Sequence, residues 1–191
     1  MSGRLKGRRK GQFFMLGALL LCALFFAALP GQVILTGGHT MDISRLAGNL
    51  EREIPHALNL AMLEDGNPSK LGEFTGFVRD SVGERYLDME SLWVVAVPDE
   101  ENPGGVELYA GNWLGRPVTL YALVDSAGET LALDDGGTDS RTLYGVGSDF
   151  TLDISFEGRY WSGQVARDKT SLYSYLSLSR GGDSIVKEIT G

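Results

Sequence analysis

Apolar residues run without a break from Phe13 to Leu29, recur at helical spacing between Ile43 and Met62, and alternate singly with polar ones from about Val106 onward. Each period predicts a different element. An α-helix rises about 1.5 Å per residue and a bilayer core is about 30 Å thick, so a span of roughly twenty uncharged residues crosses it. The run 13–29 falls slightly short, and continuing through Pro30-Gly31-Gln32 to Val33-Ile34-Leu35 supplies the missing turns. A transmembrane helix is therefore expected over 12–36, with Phe13, Phe14, Leu16, Leu20, Leu24, Phe25 and Leu29 as its anchoring side chains.

Beyond Gly37-Gly38 the spacing of Ile43, Leu46, Leu50, Ile54, Leu58, Ala61 and Met62 predicts an amphipathic helix, capped by Thr40 or Asp42 and reaching about Glu64. Pro55 predicts a kink or a restart within it, because proline lacks a backbone donor and crowds the preceding turn. Asp65-Gly66-Asn67-Pro68 stops this helix, and Ser69 is placed to cap a second one reaching about Tyr86, with Leu71, Phe74, Phe77, Val78 and Val82 on one face. Helical elements thus occupy 37–88, and strands follow over 89–191. Leu92 to Val97 is apolar on both faces, the mark of a covered central strand. Alternation then predicts strands over 106–110, 118–124 and 131–133, with turns at Ser126 to Glu129 and Asp134 to Gly137. Phe150 to Phe156 carries apolar residues on one face only, and further strands fall near 160–165, 172–178 and 185–189. The expected fold class is α+β: a transmembrane helix, amphipathic helices, then an antiparallel sheet or sandwich outside the cell.

Charge sets the direction of the chain. Arg4, Lys6, Arg8, Arg9 and Lys10 precede the apolar run, and no acidic residue occurs before Asp42. The positive-inside rule then places residues 1–11 in the cytoplasm and the C-terminal part outside, in a single-pass protein of the cell membrane. A cleaved secretory signal peptide is the rival reading, but the run is long for one and Ala28-Leu29-Pro30 is a poor cleavage pattern. A lipoprotein signal at Cys22 is weaker, since Leu21 stands where a small residue is needed.

Lys10-Gly11-Gln12, where charge gives way to hydrophobicity, resembles the class III signal peptide of archaeal type IV pilins and archaellins. The likeness covers about the first 30 residues. It implies cleavage by a prepilin-type peptidase between Gly11 and Gln12, with the apolar segment kept on the mature protein. Leu16, fifth after that cut, replaces the glutamate of bacterial pilins, which fits an archaeal source. The apolar helix, its amphipathic continuation and the β domain also resemble the build of type IV pilins. The function implied is a cell-surface filament subunit or minor pilin, with the membrane and other pilin-like subunits as partners. A plain signal anchor with an accidental Lys-Gly-Gln, carrying a monomeric binding module, is the alternative.

Of the 17 basic residues five lie before Gly11, leaving 12 against all 25 acidic ones and a net charge of about −13. Such a surface offers no Lys/Arg patch for nucleic acid. The only cysteine, Cys22, lies in the apolar run, so no disulfide or thiolate metal site is expected later. His39 and His56 are the only histidines, and nothing pairs them with a nucleophile, so neither an enzyme nor a cofactor is expected. Gly181-Gly182-Asp183-Ser184 lacks the strand and helix that a nucleophile elbow needs, and a turn explains it better. Two candidate sites remain. Asp134, Asp135 and Asp139 crowd three carboxylates near a turn that could hold Ca²⁺ weakly. Tyr160, Trp161, Tyr173 and Tyr175 could form a stacking platform for a glycan or a protein, Tyr173 and Tyr175 sharing one strand face. Trp113 is expected as a turn anchor wedged into the core.

Overall fold

The structure, a computed structural model, describes residues 39–99, 102, 104–125, 127–146, 149–166 and 168–191. From Thr40 to Gly191 they form one compact unit. Helix α1 (His39–Asp65) and helix α2 (Lys70–Gly83) come first. Nine strands follow among the described residues: β1 (Asp88–Pro98), β2 (Val106–Trp113), β3 (Val118–Val124), β4 (Ala127–Leu133), β5 (Gly137–Leu143), β6 (Asp149–Phe156), β7 (Arg159–Ala166), β8 (Ser171–Arg180) and β9 (Asp183–Thr190).

These strands make two antiparallel sheets, one ordered β5-β2-β1-β8-β9 and the other β4-β3-β6-β7. Between the sheets lies a core of Leu92, Val94, Ala96, Leu108, Tyr173 and Tyr175 from the first and Leu120, Leu131, Phe150, Leu152 and Ile154 from the second. A second core separates the first sheet from the helices. It joins Trp93, Val95, Trp113, Leu172, Leu176 and Leu178 to Ile43, Ala47, Leu50, Ile54, Leu58, Leu71, Val78 and Val82. The layers are thus helix, sheet and sheet, and β1 is buried on both faces because it lies in the middle layer. The buried Asn112 locks the layers together: its Nδ2 donates to the carbonyls of Arg116 (2.8 Å) and Leu133 (3.0 Å), and its Oδ1 accepts from the Leu114 N–H (2.9 Å).

Several expectations are corrected here. Among the described residues the fold is dominated by antiparallel strands with two helices packed on one sheet, where an α+β chain led by a transmembrane helix was expected. No helix among the described residues is long and apolar enough to cross a membrane. In α1 the buried apolar side chains form one stripe covered by the sheet, while Leu63, Arg45, Arg52 and His56 are exposed. The expected transmembrane helix over 12–36 lies outside the described residues, so the single-pass membrane anchor, and the localisation built on it, lose their support. Pro55 sits inside α1 without a restart. Ile54 before it and Ala57 and Leu58 after it are buried in the same core, and that packing outweighs one lost backbone bond.

At α2 the cap differs too. Ser69 makes no side-chain cap bond. Instead its N–H (3.0 Å) and hydroxyl (2.6 Å) both donate to Asn67 Oδ1, an Asx turn made two residues earlier. The helix ends at Gly83 rather than near Tyr86, which takes a left-handed conformation (φ 59°) as the chain turns into β1. Strand β5 was not expected, because Thr138-Asp139-Ser140-Arg141-Thr142 is polar throughout and occupies an exposed sheet edge. Trp113 closes β2 rather than a turn, and it is wedged between sheet and helix, stacked on Trp93 with ring centroids 6.1 Å apart and planes 20° from parallel.

Candidate functional site

The processing residues Lys10, Gly11 and Gln12, and the anchoring residues Phe13, Phe14, Leu16, Leu20, Leu24, Phe25 and Leu29, lie outside the described residues. The aromatic candidates do not share a surface. Tyr173 and Tyr175 are only 1% and 3% exposed, because the odd-numbered side of β8 faces the second sheet. Tyr173 packs on Trp161 with centroids 5.0 Å apart, and Tyr175 meets Phe156 edge-on at 5.8 Å. The Arg159 guanidinium lies 4.3 Å from the Tyr175 ring centroid and donates to its hydroxyl at 3.1 Å. Burial pushes the Tyr173 phenol up to about 12. Tyr160 is 67% exposed, and its hydroxyl donates to Asp153 Oδ1 at 2.9 Å on the outer face of β6 and β7. Three rings are therefore packed against the sandwich core, and one stands outside it.

The carboxylates at the β4–β5 turn diverge. Arg79 of α2 donates from Nη1 to both oxygens of Asp135 (2.8 and 3.0 Å), and the Gly115 N–H donates to Oδ1 at 2.9 Å. Asp139 accepts from Arg141 Nη1 (2.9 Å) and from the Ser140 N–H (2.8 Å). Asp134 is exposed. Because β4 belongs to one sheet and β5 to the other, this turn crosses between layers, and Asp135 and Asp139 are spent on guanidinium groups and backbone. No metal-holding group of three His, Cys, Asp or Glu side chains gathers among the described residues. His56 is exposed, and Gly181-Gly182 forms the β8–β9 turn with both residues at positive φ.

The structure instead opens a cleft of about 350 Å³ on the helix side of the first sheet, lined by Asn67, Ser69, Trp93, Tyr109, Thr138, Asp139 and Ser140. Two cross-strand rows build its floor. Trp93, Gly111 and Thr138 are register partners across β1, β2 and β5, as are Val95, Tyr109 and Ser140. Gly111 makes room for the Trp93 indole: a Cβ there would sit 2.4 Å from both Cε2 and Cζ2. That ring edge, which adjoins Nε1, therefore lies over β2. Trp93 is 1% exposed and its Nε1–H has no hydrogen-bond partner. A buried donor left unpaired costs about 1–3 kcal/mol.

Around this donor the cleft is polar without strong charge. The half-buried Tyr109 hydroxyl donates to Glu107 Oε2 at 2.6 Å, and its pKa is pushed up to about 12, first by burial and then by Glu107. Ser69 and Asn67 are joined by their hydroxyl–amide bond, and Asp139 is paired with Arg141 at 2.8 Å. No nucleophile, base and orienting group converge among these lining residues. Sequence reasoning singled out none of Trp93, Tyr109, Thr138 and Ser140. The available signal was a tryptophan inside an apolar strand, whose N–H needs a partner that the strand cannot supply.

Elsewhere Arg116 clasps both sheets. Its Nε and Nη2 donate to Glu157 Oε1 (2.8 Å) and Oε2 (2.7 Å), while Nη1 donates to Glu90 Oε1 (2.7 Å) and to the Leu114 carbonyl (2.8 Å). The two-pronged bond from Arg116 holds the Glu157 carboxyl below its ordinary range. Glu90 lies near the start of β1 and Glu157 in the β6–β7 turn, so the guanidinium ties one strand end of the first sheet to a turn of the second.

Compared with known proteins, the chain matches no family model and no curated sequence.

Proposed function

We propose that this chain is a type IV pilin-like filament subunit or minor pilin, a structural protein rather than an enzyme. A prepilin-type peptidase cuts it between Gly11 and Gln12, and it assembles with other pilin-like subunits. The observation that carries the reading is an order along the chain. Lys10-Gly11-Gln12 precedes an uncharged run, and then comes a 27-residue helix laid by its apolar stripe on an antiparallel sheet. An apolar run of this length gains free energy by leaving water, and neighbouring copies offer each other a dry surface for it. Small residues such as Gly17, Ala18, Ala23, Ala27 and Ala28 within the run favour close approach between chains.

Mass spectrometry of the mature protein tests the reading: the chain should begin at Gln12, Gly11→Val should block the cut, and sheared filaments should contain the product. An intact Met1 or Ser2 on the mature protein, or a monomer where the rest of a filament system is present, overturns it. The second reading, a monomeric extracellular binding module, is favoured by the cleft beside Trp93.

A further inference from the structure

We infer that the cleft between the α1–α2 turn and β5 is a binding site for a neutral, hydroxyl-bearing ring, a single saccharide unit or the end of a glycan. The inference stands on the cleft alone and does not depend on filament assembly.

Three properties of the cleft select this chemistry. Trp93, part of its lining, carries a buried Nε1–H with no partner, beside the ring edge that lies over Gly111. An indole N–H only donates, so the ligand must bring an acceptor oxygen. The rim is set with side chains that both donate and accept: Thr138 and Ser140 on β5, and Ser69 and Asn67 in the α1–α2 turn. Sugar hydroxyls have the same double capacity, and several of them on one ring can meet several of these groups at once.

Charge narrows the class further. Glu107 holds the Tyr109 hydroxyl beside the cleft. A carboxylate or phosphate would approach that acid, whereas a neutral ring meets no such repulsion. The half-buried Tyr109 ring supplies the apolar surface against which the C–H face of a sugar packs. At about 350 Å³ the cleft lies at the low end of ligand pockets, which suits a ring rather than an extended polymer.

Titration of the full chain with N-acetylglucosamine and galactose, each free and as its methyl glycoside, with glucuronate as the charged counterpart, tests the assignment. Calorimetry and tryptophan emission are the readouts. At least one neutral sugar should saturate, with glucuronate about tenfold weaker or more. Equal binding of free sugar and methyl glycoside marks a glycan-linked unit as an accepted ligand, and binding of the free sugar alone marks a soluble one. Trp93→Phe keeps an aromatic ring but removes the donor and should weaken binding about tenfold. Ser140→Ala, on the exposed edge strand where folding is not at stake, should weaken it severalfold, and Tyr160→Ala on the outer sheet face should change nothing. The assignment is overturned if no neutral sugar binds up to about 10 mM, if glucuronate binds as well as the neutral sugars, or if Tyr160→Ala abolishes binding that Ser140→Ala leaves intact.

Discussion

Replacing Gly111 with alanine should destabilise the domain although alanine is the better strand residue. Its Cβ would sit 2.4 Å from Cε2 and Cζ2 of Trp93 and 2.6 Å from Cζ3 of Trp113. Carbon atoms in ordinary contact stand about 3.5–4.0 Å apart, so both indoles would have to retreat by about 1 Å. Neither has room. Trp113 already presses on α2, where a Cβ on Gly72 would meet its Cη2 at 2.7 Å, and Trp93 is buried among the same residues. Overpacking of this kind costs about 1–3 kcal/mol, against a gain of about 0.5–1 kcal/mol from removing a glycine. The net loss is about 1 kcal/mol, or about 2–4 °C in Tm for a domain of this size. Urea unfolding followed by near-ultraviolet circular dichroism reads both the loss and the disturbed indole pair. Gly48→Ala is the matched control: nothing lies within 4 Å of its Cβ in α1, so it should stabilise by up to about 1 kcal/mol. A Gly111→Ala protein as stable as the parent would refute the placement of the two indoles over β2.

Other outcomes follow from the same layers. Leu71→Ala, at a fully buried position, should cost about 2–5 kcal/mol in urea unfolding, whereas Phe77→Ala should stay within about 0.5 kcal/mol because that ring is 43% exposed; equal losses would put Phe77 in the core. The Arg116 clasp should act in acid. Since the folded-state pKa of Glu157 is lowered, its contribution is complete above the ordinary carboxyl value of 4.5 and fades as pH falls through the lower folded value. Arg116→Met should therefore lower stability at pH 7 and flatten its dependence on pH below about 4.5, and an unchanged acid profile would remove the clasp. Because these side chains are partly exposed, the difference should also shrink in 1 M salt.

Local periodicity determined a good deal of this protein. The alternation Phe150, Leu152, Ile154, Phe156 made β6 legible, and the doubly apolar run 92–97 marked β1 as central, because strand geometry alone decides which side chains share a face. The stripe of α1 was legible for the same reason. What covers a face is not a local property. Tyr173 and Tyr175 were placed on one side of β8 by counting, but only the second sheet, packed there, turned them from a candidate platform into core. Phe77 fits the helical period yet lies outside, while Thr75, with its hydroxyl on the Leu71 carbonyl, is buried where α2 meets the sheet. β5 carries no apolar alternation, since an edge strand exposed along most of its length needs none. The cleft depends on register: Trp93, Gly111 and Thr138 come from three strands, and Asn67 and Ser69 from a turn more than twenty residues before the nearest of them. Residues so far apart in sequence become neighbours only when the strands pair and the helices dock, so the chain fixes which side chains can meet a ligand while the packed layers decide that these ones do.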